Sequence, residues 1–253
     1  MEPALLSRLI DHAPLFPPAS MALEAALAED RAARSSDYAW MLDRFVCPAS
    51  LLRELPEDMP PVSVVLDEEL TVPAEAVEVR LTEPRPRSTE LLLAAQALRS
   101  LSDEVYFELV LEERWRDTVP AAIGAIAAVG GRVKLRCGGG DAVPSAEQVA
   151  LVLVACHRAG VAMKATAGLH HPLRSGDEHG FLNLLCAALL AHSRDAAAAE
   201  VVQVLAEERV EHLPLHDFDA AASIATRERL FTGFGSCSWR EPVDGLRGLG
   251  LLE

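Results

Sequence analysis

The stretch Val161-Ala-Met-Lys164-Ala-Thr166-Ala-Gly168-Leu-His170-His171-Pro172 carries one lysine inside an apolar run, then breaks at a glycine into two histidines and a proline. Glu178-His179-Gly180-Phe181-Leu-Asn183 follows closely. An apolar run that opens into a polar loop is how a buried strand delivers chemical groups to a site. Of the 23 basic residues, only Lys134 and Lys164 are lysines and the others are arginines. Where surface cations are so uniformly arginine, a retained lysine marks a place where the guanidinium will not serve. A desolvated lysine can shed its proton and act as a base or an amine nucleophile, and arginine cannot. Ordinary ion pairing is the competing account of both lysines.

The elements that must position these groups alternate strand with helix from about residue 39 onward, the pattern of a parallel sheet with crossover helices. Strands are predicted at about 39–46, 62–67, 76–81, 104–111, 132–137, 161–167 and 230–235. Helices fit at about 48–55, 88–101, 113–130, 145–160, 179–193, 196–209 and 219–229, and the helix at 145–160 has Ser145 and Gly160 as caps. Residues 1–35 read as an N-terminal helical cap, with helices at about 4–11 and 20–34 around Pro14, Pro17 and Pro18. Residues 36–253 then form one α/β domain.

Several strands alternate instead of running continuously apolar. Val77, Val79 and Leu81, Val105, Phe107 and Leu109, Val133 and Leu135, and Met163 and Ala165 share one parity. Glu78 and Arg80, Glu108, Lys134 and Arg136, and Lys164 and Thr166 share the other. Side chains alternate faces with period two, so the first set packs under helices while the second lines a common polar space. A closed (β/α)8 TIM barrel provides that space, with its site at the carboxyl ends of the strands. Seven strands are visible where eight are usual, so the eighth is expected near 211–216 or the barrel is irregular or incomplete.

With Asp67 at the end of the second strand, the inward set holds four cations, Arg80, Lys134, Arg136 and Lys164, and three carboxylates, Asp67, Glu78 and Glu108. This balance favours a small anionic substrate, a carboxylate or a phosphate. The alternative is an internally neutralised network that fills the barrel. Lys134 and Lys164 fall on consecutive strands, where one ammonium can lower the pKa of the other and free it for a Schiff base with a carbonyl.

Met163-Lys164-Ala-Thr166-Ala-Gly168 resembles the Lys-Thr-Ser-Thr-Gly motif of deoxyribose-phosphate aldolases, class I aldolase barrels whose motif lysine forms the Schiff base. The preceding Val133-Lys134-Leu-Arg136 strand and helix are similar in layout. Ala165 and Ala167 stand where the motif has hydroxyl residues, His170-His171-Pro172 is added, and no lysine follows Lys164. The resemblance, over about 40 residues, implies Lys164 as nucleophile and leaves Lys134 for the second active-site lysine. The chain also resembles a group of bacterial proteins of uncharacterised activity that share the lysine, Gly-Leu-His-His-Pro and His-Gly-Phe-Leu-Asn pattern.

Glu108 and His170 are the candidates to move protons. His171, His179 and Asn183 are candidate substrate contacts, Asn183 lying one helical turn beyond His179. Neither an H-x-H nor an H-E-x-x-H spacing supports a metal, and the competing reading of the adjacent histidines is a structural cap. Two glycine-rich stretches could cradle an anion: Cys137 to Asp141, and Gly233 to Ser238, which includes Gly235 and Ser236 and precedes a short helix. Ser238-Trp-Arg-Glu241 reads equally as a capping box. Cys137 and Cys237 lack a sequence-adjacent base and read as small buried side chains.

The net charge of −15 argues against nucleic acid and against an anionic membrane. Five scattered cysteines give neither a disulfide framework nor a zinc site. The functional expectation is a cytoplasmic lyase of class I aldolase type, with no cofactor, acting on a small anionic carbonyl metabolite and forming a homodimer. The competing expectations are a lyase, isomerase or transferase without a covalent step, and a non-catalytic barrel that binds a metabolite or a protein.

Overall fold

The computed structural model describes residues 3–139 and 143–253. Eight parallel strands close into a barrel in sequence order: β1 (Ile10–His12), β2 (Leu42–Pro48), β3 (Val62–Val65), β4 (Ala76–Arg80), β5 (Glu104–Glu108), β6 (Arg132–Arg136), β7 (Met163–Thr166) and β8 (Phe231–Ser236). The fold is the (β/α)8 class that the alternation predicted.

The eighth strand is β1, which pairs with β2 on one side and β8 on the other. It comes from the segment expected to be a helical cap. The helix there is one turn, α1 (Pro3–Leu6), and only α2 (Leu23–Arg34) of that segment is a longer helix. Residues 211–216, the expected site of the eighth strand, form a 3-10 turn and a loop. The other helices are α3 (Ser88–Leu98), α4 (Trp115–Ala128), α5 (Ala146–Ala159), α6 (Phe181–Arg194), α7 (Ala198–Leu205), α8 (Ala220–Arg229) and α9 (Arg240–Gly248). The expected helix at 48–55 is a 3-10 segment, and β3 passes to β4 without a helix, so the helical ring is irregular on that side.

Val77, Phe107, Val133, Leu135, Met163 and Ala165 are buried under the helices, which leaves the other parity to the bore. The caps of α5 are those expected: Ser145 and Gln148 make a reciprocal capping box, and Gly160 closes the helix in the left-handed conformation. Helix α6 is buried almost throughout and packs against α5, α7 and α8, clamping the β7–β8 side of the barrel.

The loops leaving β6 and β7 touch backbone to backbone. A Cβ added to Gly168, whose φ is +69°, would lie 2.8 Å from the Gly138 Cα and 3.1 Å from the Cys137 oxygen. Gly160 has a similar φ of +65° but open space around it. Gly168→Ala is therefore expected to cost more than Gly160→Ala, by about 1–3 kcal/mol of added strain. Thermal unfolding of the two variants, with the larger fall in Tm for Gly168→Ala, checks this.

Candidate active site

Strand register assembles the bore. Glu78 is level with Tyr106, Glu108 with Lys134, and Lys134 with Lys164 on the neighbouring strands. Glu78 accepts from both lysines: its Oε1 lies 2.6 Å from Lys164 Nζ and its Oε2 2.7 Å from Lys134 Nζ. The Ser63 hydroxyl donates to the same Oε1 at 2.7 Å. Lys164 also donates to Asp11, and Lys134 reaches Glu108 at 2.8 Å. The lysine side chains are nearly sealed, with 1% of Lys164 and 7% of Lys134 exposed.

The two ammoniums hold the Glu78 carboxyl far below the usual carboxylate range despite complete burial. Asp11 and Glu78 hold Lys164 well above the usual lysine range, again against burial. Lys164 is thus kept protonated by carboxylates, the reverse of the lowering expected from Lys134. The Tyr106 ring lies 5.3 Å from Lys164 Nζ, and its hydroxyl meets Thr232 at 3.1 Å. Below it, Arg44 and Arg132 pair with Glu104 at 3.0 and 2.9 Å and close the amino end of the bore.

Toward the carboxyl ends, a cavity of about 270 Å³ is lined by residues including Arg80, Glu108, Arg136 and Gln148. The Arg80 side chain is 82% exposed and 3.9 Å from Glu108. Arg136 is strapped to the Gly138 and Gly139 carbonyls at 3.0 and 2.9 Å. Thr166 Oγ1 is buried without a hydrogen-bond partner. It sits one layer above Lys164, level with Arg136 and Gly235.

The structure therefore brings Lys164, Lys134, Glu108 and Glu78 together, with Arg80 and Arg136 at the mouth. The third carboxylate is Asp11, not Asp67. Asp67 lies outside the bore, accepting from the Ser50 hydroxyl at 2.6 Å and its N–H at 3.0 Å. Asp11 escapes sequence reasoning because it falls within the helix expected at about 4–11, and Ser63 because one hydroxyl in an apolar strand gives little signal.

Several candidates serve the backbone instead. His179 is buried and donates from Nε2 to the Pro144 carbonyl at 2.6 Å, and burial lowers its pKa, so it is a neutral loop anchor. Asn183 donates to the Val204 and Glu207 carbonyls at 2.8 and 2.7 Å and accepts from the Arg174 N–H at 2.9 Å. These contacts brace the end of α7 and the segments at Glu207 and Arg174, and none is to His179. The His171 side chain is 60% exposed, with Glu178 at 3.7 Å. Ser236 Oγ donates to the Ser238 carbonyl at 2.6 Å, and Gly235 packs against Thr166. Of the first glycine stretch, Gly140 and Asp141 lie outside the described residues.

His170 stands on the rim beyond β7. Its Nδ1 is 2.7 Å from Glu241 Oε2 in α9. The neighbouring Cys237 and the Glu241 carboxylate outweigh partial burial and lift the imidazole from 6.5 to about 9. Cys237, read as a small buried side chain, is partly exposed, whereas Cys47, Cys137, Cys156 and Cys186 are buried. No group of three or more His, Cys, Asp or Glu side chains among the described residues is arranged to hold a metal. No helix among them is long and apolar enough to cross a membrane.

No protein-family model and no curated protein matches the sequence. Among solved structures, the chain is similar to the deoxyribose phosphate aldolase of Aeropyrum pernix, described as a unique tetramer. The TM-score is 0.55 at 15% identity, over 98% of this chain and 93% of that one. A candidate deoxyribose-phosphate aldolase from Toxoplasma gondii ME49 matches at TM-score 0.47 and 13% identity, over 97% of this chain and 92% of that one. The resemblance read locally around Lys164 thus extends, as fold, over nearly the whole chain.

Two predictions follow from the geometry. Lys164→Met leaves Asp11, Glu78 and Glu108 with one ammonium and is expected to destabilise the fold at pH 7 by about 3–5 kcal/mol. In the native protein the depressed Glu78 pKa gives stability that is fully present above 4.5 and is lost as pH falls below it. In the variant a buried carboxyl without its cation gains a proton on folding, so stability should rise between pH 7 and pH 5. Denaturant unfolding from pH 7 to pH 5 checks this: the variant gains stability toward pH 5, while Glu78 contributes no slope to the native protein over that range and loses stability only below 4.5. Separately, the His170 ring should titrate near 9 by NMR and return toward 6.5 in Cys237→Ala, with a smaller fall in Glu241→Gln.

Proposed function

We propose that the bore is the active site of a lyase of class I aldolase type, in which a lysine amine condenses with a carbonyl of a small anionic metabolite. The observation that carries this reading is the pair of buried lysines sharing Glu78, with Glu108, the other partner of Lys134, in the wall of the mouth cavity. A charge network of this kind is a poor stability device compared with apolar packing, and clustered buried titratable groups are the mark of a functional site.

Of the two lysines, Lys134 is our nucleophile. It touches Glu108, which is on the wall that a substrate reaches, whereas Lys164, with 1% of its side chain exposed against 7% for Lys134, is held protonated between Asp11 and Glu78. Glu108 takes a proton from Lys134, the freed amine attacks the carbonyl carbon, and Glu108 returns the proton as water leaves. The resulting iminium replaces the ammonium beside Glu78, so the charge pattern of the bore is kept through the step. Lys164 stays a fixed cation. Arg80, exposed at the mouth, takes the anionic end of the substrate, and the unpartnered Thr166 hydroxyl is free to meet a substrate oxygen.

A second reading is non-covalent anion binding, with or without chemistry. It is favoured by the complete pairing of both ammoniums against the loose contact of Arg80. Borohydride reduction with a panel of small aldehydes, keto acids and phosphorylated sugars, read by intact mass and peptide mapping, tests both. The expected result is a reduced adduct on Lys134, absent in Lys134→Arg. An adduct on Lys164 reverses the assignment of the two lysines. A folded protein that forms no adduct, yet is stabilised by an anion in a manner lost in Arg80→Ala, favours the second reading.

A further inference from the structure

The cavity at the carboxyl ends of the strands is walled largely by hydrocarbon. Leu81, Leu109, Val110, Leu111, Val143 and Pro144 line it, and Val143 is exposed. One exposed valine is ordinary on a protein surface, but this one continues an apolar wall. The polar side chains among the described lining residues are Arg80, Glu108, Arg136 and Gln148. Glu108 pairs with Lys134 at 2.8 Å, Arg136 donates to the Gly138 and Gly139 carbonyls, and the Gln148 amide oxygen accepts from the Ser145 N–H at 2.7 Å. Arg80 is left, turned to solvent and 3.9 Å from Glu108. A chain of hydroxyl groups entering this cavity would exchange water for apolar wall, at a cost for each group left unpaired. A hydrocarbon chain would gain by the same exchange.

A phosphate dianion is poorly provided for. Barrels of this class usually hold it on the loop after the last strand and the N–H groups that open a short helix. Here that loop uses its groups internally. Ser236 Oγ donates to the Ser238 carbonyl at 2.6 Å and accepts from the Ser238 N–H at 3.3 Å, and the Glu241 N–H goes to Ser238 Oγ at 3.3 Å. Glu241 also sets a carboxylate in the first turn of α9, where it repels a second anion. A carboxylate asks for less, because one guanidinium fork matches its two oxygens. Arg80 offers that fork, and Arg80 and Lys134 both lie against Glu108. The anionic group and the reacting carbonyl are therefore close neighbours in the molecule that fits.

We propose, on the footing of the class I aldolase reading above, that the substrate is an unphosphorylated oxo acid with its oxo group next to the carboxylate and a short hydrocarbon chain. Arg80 holds the carboxylate, and the chain lies along the leucine and valine wall. Lys134 condenses with the adjacent carbonyl, forming the C–N bond of the iminium as one water leaves. The Thr166 hydroxyl, buried without a partner, serves the reacting oxygen and leaves none for a hydroxylated chain.

Two measurements on the full chain test the substrate class apart from the covalent step. Pyruvate, oxobutanoate, oxohexanoate, an oxohexanoate hydroxylated along its chain, and glyceraldehyde phosphate are titrated by calorimetry without reductant. The same series is then treated with borohydride, which delivers hydride to the iminium carbon, and the adduct is mapped. Half-saturating concentrations should fall about two- to fourfold for each methylene added between pyruvate and oxohexanoate. They should be at least about tenfold higher for the hydroxylated compound and for glyceraldehyde phosphate than for oxohexanoate. In Val143→Asn, a change at an exposed position, the advantage of oxohexanoate over pyruvate should shrink about threefold or more. Binding of the oxo acids in that order with no adduct on either lysine removes the covalent reading and keeps the ligand class. The class is overturned if the hydroxylated compound or glyceraldehyde phosphate binds as well as oxohexanoate, if no oxo acid binds, or if the ratio is unchanged in a folded Val143→Asn. The native series decides alone should that variant not fold.

Discussion

One carboxylate, Glu78, holds two buried ammoniums inside the barrel, and the arrangement of the bore follows from that bond pattern. A charge moved from water to a protein interior costs several kcal/mol unless geometry and hydrogen bonding compensate it. Here each oxygen of Glu78 faces one lysine, Ser63 adds a donor, and Asp11 and Glu108 each pair with one of the two lysines. The contacts therefore run Asp11, Lys164, Glu78, Lys134, Glu108, alternating anion and cation across the bore although the carboxylates come from β1, β4 and β5 and the lysines from β6 and β7. Losing one member leaves its neighbour buried and uncompensated, so the cluster acts as a unit.

The network also divides the barrel along its axis. Arg44, Glu104, Arg132 and the Tyr106 hydroxyl interlock at the amino end. The lysine layer lies above, and the mouth cavity with Arg80, Glu108 and Arg136 above that. Access from the carboxyl ends of the strands is the general arrangement of such barrels. The rim adds a thiol, an imidazole and a carboxylate on the β7–β8 side, whereas the cavity sits over β4, β5 and β6. One fold thus presents two chemically different sets of groups from neighbouring loops.

Much of the remaining polar chemistry holds those loops in place. Asn183 ties the start of α6 to the end of α7 and to the loop at Arg174, and His179 anchors the segment before α5. Gly138 and Gly168 let the β6 and β7 loops meet without side chains between them. Buried polar groups need partners wherever they are, and an interior loop has many unpaired backbone groups to offer. For this reason a histidine or asparagine near a site is as often a brace as a participant.

The sequence by itself determined the barrel, the parity of its strands and the presence of Glu78, Glu108, Lys134 and Lys164 on the inner face. Those follow from local rules: period-two alternation, helical spacing and caps act over a few residues, so they are readable without the fold. Only the tertiary structure decided the rest. Ile10-Asp11-His12 is too short for its alternation to register, and it becomes a strand because β2 and β8 leave two edges that need pairing. That closure brings Asp11 to Lys164, across 153 positions of sequence. Separation along the chain also hid the contact of His170 with Glu241 and the diversion of Asn183 and His179 to backbone carbonyls. Which proton a carboxylate or an imidazole holds depends on groups within a few ångströms in space, and those neighbours are set by barrel closure and register, not by proximity along the chain.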